Sequence, residues 1–224
     1  MFGRFMKNGW LALVVSMLGA NTIAAPATPA AEPVAGPYEV IQRTSDALVG
    51  VIDEGKTYFE TDPDRFYKEV YRVLDPVVDF KSFARGVMAV HAKRATPEQR
   101  SRFEETFKWG LVRTYGKALL EFDQEQVDVV KDDKPPRNPR QQSVRMEVRT
   151  EAGKIYPVDY SMALGKDGVW RMRNIVINGI NIGLTYRNQF ASAMQTEGDL
   201  DAVIDGWAQT VAKVDPVAGE QGDS

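Results

Sequence analysis

The feature that most constrains this chain is a change of period inside one short stretch, Trp170 to Phe190. In its first half Trp170, Met172 and Val176 alternate with Arg171 and Arg173, the period-two pattern of a strand with one buried face. Asn178-Gly179 then interrupts, a pair that tolerates positive φ. Beyond it Ile182, Tyr186, Phe190 and Met194 recur every four residues, with Asn181 placed to cap the helix they describe. Strand, turn and helix thus send Ile, Trp, Met, Tyr and Phe side chains toward one interior, which calls for an α+β fold.

The chain before this point divides by composition. Arg4 and Lys7, an apolar run from Trp10 to Leu18 and a small-residue stretch make residues 1–24 a secretory signal peptide. The run falls short of the roughly 20 residues that cross a bilayer. Cleavage after Ala24 fits best, since a cut one residue later would put Pro26 against the scissile bond. Residues 25–37 are a Pro/Ala tract, expected to be a disordered leader. A single mixed domain is expected over 38–212, helical over 38–122, sheet over 126–177 and helical again over 182–212, with a disordered tail at 213–224.

Apolar residues at 40, 41, 48, 51, 52, 58 and 59 describe an amphipathic helix from Tyr38 to Phe59. Three helix starts follow in similar form, Asp62-Pro63, Asp75-Pro76 and Thr96-Pro97, each a capping side chain before a proline whose missing N–H does no harm there. Thr96 with Gln99 completes a capping box. The helix it opens runs to about Phe122, with Phe103, Phe107, Leu111, Tyr115 and Leu119 in a row that winds slowly round the axis.

After Phe122 the period changes to two. Val127 and Val129 mark a short strand, Lys131 to Gln142 a polar loop, and Val144, Met146 and Val148 a strand with one face buried. Tyr156, Val158, Tyr160, Met162 and Leu164 share one face of the next strand, with Asp159 and Ser161 on the other. Pro157 lacks a ladder donor and so places that strand at an edge or beside a bulge. With turns at Glu151 to Gly153 and Gly165 to Gly168, the result is a curved antiparallel four-stranded sheet. A last helix starts near Asp199 and buries Leu200, Val203, Ile204, Trp207 and Val211.

Catalytic chemistry leaves little trace. The single histidine, His91, has no nucleophile at a spacing that implies partnership and reads as a solvent-facing or capping residue. Asp53-Glu54, Glu104-Glu105 and Asp132-Asp133 are adjacent pairs that diverge by about 100° on a helix. No cysteine is present, which excludes disulfides, thiolate metal sites and a lipidated-cysteine anchor. The net charge is −3, two units more negative without Arg4 and Lys7, and no basic stripe exists to bind nucleic acid. No metal or cofactor is expected.

These residues carry a resemblance. Residues 170–190 are similar to the signature of the MlaC-type family, periplasmic phospholipid carriers once called toluene-tolerance proteins, which reads W-x-V-x-D-V-x-I-E-G-V-S-L-x-x-N-Y-R-x-Q-F. Trp170, Gly179, Tyr186, Arg187, Gln189 and Phe190 match it. Arg173-Asn174 stands where the family has an acid, Asn178 replaces Glu and Asn181 replaces Ser. Ala95 to Arg100 with Phe103, Phe107 and Thr114-Tyr115 resembles a second family segment, and Asp79-Phe80, Ala84 and Val87-Met88 a third. The family's Gly-x-x-Trp-Arg is absent, with Ala89 to Lys93 in its place.

The resemblance implies a helical part packed on the sheet around an apolar cavity that carries a glycerophospholipid as cargo. The implied lining is Phe83, Val87, Phe107, Leu111 and Tyr115 from the helices, and Val144, Met146, Val148, Val158, Tyr160 and Met162 from the strands. Trp170, Met172, Ile175, Ile177, Ile180, Ile182 and Tyr186 complete it. It further implies a monomer in the periplasm that serves an inner-membrane ABC transporter complex, with a lipid-receiving substrate-binding subunit, and an outer-membrane lipoprotein complex. Two other classes compete. An enzyme in a cone-shaped α+β fold would need an acid or base in the cavity, such as Asp159 or Tyr160, and a protein-binding adaptor would hold no small molecule. Arg187, about 100° from Tyr186 on the same helix, is expected to anchor that helix to an acid elsewhere.

Overall fold

The computed structural model describes residues 35–121, 126–131, 136–150 and 153–212. The signal peptide, nearly all of the leader, the tail and the Asp132-Asp133 pair lie outside these residues. Helix α1 (Pro37–Lys56) is followed by α2 (Pro63–Leu74), α3 (Phe80–Met88), a 3₁₀ turn (Ala89–Lys93) and α4 (Pro97–Leu119). Strands β1 (Gln126–Val130), β2 (Gln141–Arg149), β3 (Ile155–Leu164), β4 (Trp170–Ile177) and β5 (Ile180–Asn181) precede α5 (Ile182–Glu197) and α6 (Leu200–Ala212). The strands pair as an antiparallel meander in chain order. The sequence pattern shows four of them. The fifth, two residues long, exists because Asn178 and Gly179, at φ 49° and 82°, make the tight turn that folds Ile180 back onto Ile177.

The helix starts form largely as their caps dictate. Asp62 accepts from Arg65 N–H, and Thr96 and Gln99 form the reciprocal capping box. Asn181 accepts from Leu184 N–H, and Asp199 from Ala202 N–H. Asp75-Pro76 does not start a helix. Asp75 closes α2, and α3 opens later with Asp79 as its cap. Asp75 to Val77 instead form the turn that ends α2, with Val77 and Val78 N–H both donating to Leu74 C=O. Val78 then bridges β4: Met172 N–H donates to Val77 C=O at 2.8 Å, and Asp79 N–H to Met172 C=O at 2.9 Å. Pro76 therefore sits in the close of one helix and not in the first turn of the next.

The alternation of β4 is broken as well. Met162 lies opposite Met172 but Ser161 opposite Asn174, so Arg173 is the extra residue of a bulge. Past it the faces exchange. Ile175 and Ile177 join Trp170 and Met172 on the inner side, and Val176, opposite Asp159, faces away from them, contrary to the simple reading of the sequence. Pro157 sits inside the sheet, next to the point where β4 has ended, and its carbonyl accepts from Asn178 N–H in the turn. The ring's missing donor therefore breaks no ladder bond.

The buried apolar side chains gather in separate clusters. The helical one joins Phe83, Val87, Phe107, Leu111, Ile182, Tyr186, Phe190 and Trp207. The sheet cluster joins Val144, Met146, Val148, Val158, Met162 and Trp170 with Ile41 of α1. Phe66, Tyr67, Val70 and Val112 form a third, where α1, α2 and α4 meet.

Ala89, in the position of the absent family glycine, closes α3 at φ 50° and ψ −119°, a conformation that glycine adopts freely and alanine does not. Ala89→Gly should therefore stabilise the protein by about 1 kcal/mol, read as a rise of roughly 2–4 °C in Tm by calorimetry.

Candidate functional site

The inner face of the sheet is apolar along its whole width, because every second residue of β1, β2 and β3, and of β4 as re-phased by its bulge, points to it. Its centre is closed: Val144 is 0 % and Met162 2 % exposed. Toward its margins the side chains stay only partly covered, namely Val127, Val129, Tyr156, Tyr160, Leu164, Met172, Ile175 and Ile177. Helix α1 lies on this face and contributes Ile41, with Tyr38 and Val40 beside it. The opposite face is polar. Arg145 and Asp159, cross-strand neighbours, share two hydrogen bonds of 2.8 and 2.9 Å there. Asp159 thus points away from the apolar face, as its place in the alternation requires.

The residues singled out from the sequence fall into both large clusters. Val144, Met146, Val148, Val158, Met162 and Trp170 are buried against the sheet, and Tyr160 packs partly covered on them. Phe83, Val87, Phe107, Leu111, Ile182 and Tyr186 are buried among the helices, with Tyr115 and Ile180 at that cluster's margin. Met172, Ile175 and Ile177 touch both clusters and mark the seam between them. Ile41, Tyr38 and Val40 were not foreseen at this face. They belong to a helix whose amphipathic stripe is plain in the sequence, but nothing in a stripe says which surface it covers. Two surface hollows of about 210 and 320 Å³ lie among the helices and include none of the residues singled out.

Polar residues frame the seam. Asp79 accepts from Ser82 N–H at 3.0 Å and from Arg173 Nε at 3.2 Å, so the bulge residue is tied to the cap of α3. Burial pushes the Asp79 carboxyl up, but the Ser82 hydrogen bonds and the Arg173 guanidinium outweigh it and hold its pKa below the usual carboxylate range. Asn174 donates to Asn181 Oδ1 at 3.0 Å and accepts from Gly183 N–H at 3.0 Å. A side chain at Gly183 would place its Cβ 2.4 Å from Asn174 Oδ1, so this approach requires glycine. Arg187 does not anchor α5: it is exposed and forms no ion pair among the described residues. His91 is half-buried, its ring 5.8 Å from that of Phe190. Among the described residues no three His, Asp or Glu side chains converge to hold a metal, and no helix is long and apolar enough to cross a membrane.

Asp79→Ala should remove the cap and the ion pair together and cost about 1–2 kcal/mol. Asp79→Asn, which keeps a cap, should cost less. Because the folded carboxyl titrates below its unfolded value, its contribution is complete above about pH 4 and is lost as the pH falls through the folded pKa. The Tm gap between wild type and Asp79→Asn should accordingly be constant near neutrality and close on acidification.

The profile of the MlaC protein family matches residues 42–209. A toluene tolerance protein of Pseudomonas putida, ttg2D, is 41% identical over 184 residues, which cover 81% of this chain and 84% of that protein. The fold is similar to that of a phospholipid-binding protein from Ralstonia solanacearum, solved in complex with a phospholipid, with a TM-score of 0.71 and 24% identity over 80% of this chain and 100% of that one. With its signature residues placed at one junction of strand, turn and helix, and with three quarters of its length matched, the chain belongs to the MlaC family.

Proposed function

We propose that the protein is a periplasmic phospholipid carrier that exchanges glycerophospholipid with an inner-membrane ABC transporter complex and an outer-membrane lipoprotein complex, and so maintains outer-membrane lipid asymmetry. The observation that carries the reading is the sheet face, apolar from β1 to β4 and only partly covered at its margins. Each methylene moved from lipid to water costs about 0.8 kcal/mol, so two acyl chains represent on the order of 20 kcal/mol. A carrier offsets that only by near-complete enclosure, and the seam at Met172, Ile175 and Ile177 is where chains could enter between sheet and helices. Membership of the MlaC family and the phospholipid held by a protein of the same fold support the reading.

The enzyme alternative has less to stand on. Asp159 is paired with Arg145 on the far face. Burial pushes the Tyr160 hydroxyl up, away from any role as a base near neutrality, and its O–H points to Met146 Sδ at 3.7 Å. A head group left in water at the mouth of the site needs few dedicated contacts, so weak head-group selectivity is expected.

Protein purified from a bacterial host without detergent should yield diacyl phospholipids with mixed head groups on solvent extraction and mass spectrometry, in roughly whole-number ratio to protein. Lysophospholipids or free fatty acids as the main products would defeat the carrier reading, and the absence of any lipid would favour an adaptor. Met146→Glu puts an unpaired carboxylate on the apolar face and, in a preparation whose circular dichroism shows it folded, should reduce bound lipid severalfold or more. Normal lipid content in that variant would remove Met146 from the lining.

A further inference from the structure

Two tyrosines stand out in the helical cluster. The hydroxyls of Tyr115 and Tyr186 are both buried, and neither has a hydrogen-bond partner among the described residues. Tyr186 is 0 % exposed. The two hydroxyls lie near enough to influence each other's ionisation. Burial pushes both pKa values up, and Tyr115 adds to the rise at Tyr186, so both remain protonated donors through the physiological range. If one O–H were to turn toward the other, the second proton would still have nothing to accept it. A buried hydroxyl left unpaired is unfavourable, so two side by side call for an acceptor from outside the protein.

Their position says what kind of acceptor. Helix α4 runs antiparallel beside α5, with Phe103 5.0 Å from Phe190 and Phe107 5.6 Å from Tyr186. Two turns beyond Phe107, Tyr115 therefore comes level with the start of α5, where the chain leaves the sheet. Tyr115, Ile175, Ile177 and Ile180 all pack at the margin of the same cluster. The surroundings are apolar, with no described charge among the buried residues to hold a phosphate.

We infer that the Tyr115 and Tyr186 hydroxyls bind the ester carbonyls of the cargo, one donor to each acyl linkage, at the level where the acyl chains join the glycerol. The inference rests on the carrier reading and deepens it. A diacyl lipid brings two uncharged carbonyl acceptors side by side at the neck between tails and head group. Two neighbouring phenols inside an apolar wall match them in number and in polarity. The paired donors then fix the depth to which the lipid enters and leave the head group unselected. Gln189 Oε1 and Trp207 Nε1 are also buried and unpaired, but they are an acceptor and a donor of different kinds and not a pair of like donors.

The test is a competition between a diacyl phosphatidylglycerol and its dialkyl ether analogue, equal in head group and chain length but lacking the carbonyls. Both are offered in excess to delipidated full-length protein, and the bound fraction is read by mass spectrometry. A hydrogen bond contributes about fivefold in affinity, so the wild type should prefer the diacyl lipid by roughly tenfold or more. Tyr115→Phe and Tyr186→Phe should each lower that preference severalfold, and the double variant should bring it to about one. Equal uptake of the two lipids by the wild type, or a preference that survives in the double variant, would overturn the proposal. If Tyr186→Phe does not fold, Tyr115→Phe alone decides, since its preference must still fall. A wild type that takes up neither lipid would sink the carrier reading itself, an outcome distinct from uptake without preference.

Discussion

The architecture depends on a short main-chain splice. Between α2 and α3, Val77 C=O accepts from Met172 N–H and Asp79 N–H donates to Met172 C=O, and this is where the helical layer is sewn to the sheet. Several features follow from it. Asp79 is fixed in position to cap α3 and to meet Arg173. Arg173 is displaced from the ladder as a bulge. The bulge in turn rotates Ile175 and Ile177 onto the inner face, where they join the two clusters. Backbone hydrogen bonds thus tie the two layers at the seam, where Met172, Ile175 and Ile177 pack against both clusters.

The two sides of the seam differ in stiffness. Among the helices, Phe103 stacks on Phe107 at 5.8 Å and meets Phe190 and Trp207 at 5.0 and 5.3 Å, a block of rings with little freedom. Arg102 adds an ion pair to Asp201 at 2.7 Å between α4 and α6. The sheet face carries Val, Ile and Met beside the rings of Trp170, Tyr156 and Tyr160, and Met in particular adapts its shape to what lies against it.

Much of this was legible in the sequence wherever the cause is local. The Asn178-Gly179 turn, the caps at Asp62, Thr96, Asn181 and Asp199, and the row Phe103 to Leu111 follow from a few neighbouring residues. What escaped depends on distant partners. Asp75-Pro76 has the form of a helix start, but the amides after it bond back to Leu74 as the closing turn of α2, and Met172, far along the chain, bridges Val78 before a new helix begins. Val176 alternates correctly with Trp170 until a bulge that only the pairing with β3 reveals. Ile41 lies on a clear amphipathic stripe whose destination, the sheet, is invisible from within the helix. Arg187 was assigned a partner on the strength of its place in the signature, and placement in a motif carries no information about where acids lie. The inward-facing apolar residues of strands and helices were readable as such. Their division into two clusters with a shared margin was not, because one alternation pattern describes a filled core and a covered cavity equally well.

The pair Asn174 and Asn181 bears on how such a chain can drift. Asn174 donates to Asn181 and accepts from Gly183, so a strand residue helps to start the helix that follows. A carboxylate at 174 could accept from Gly183 but not donate to Asn181, and a serine at 181 would not reach as an amide does. The two asparagines therefore act as a unit at the start of α5, and substitutions at 174 and 181 are expected to be non-additive in their effect on stability.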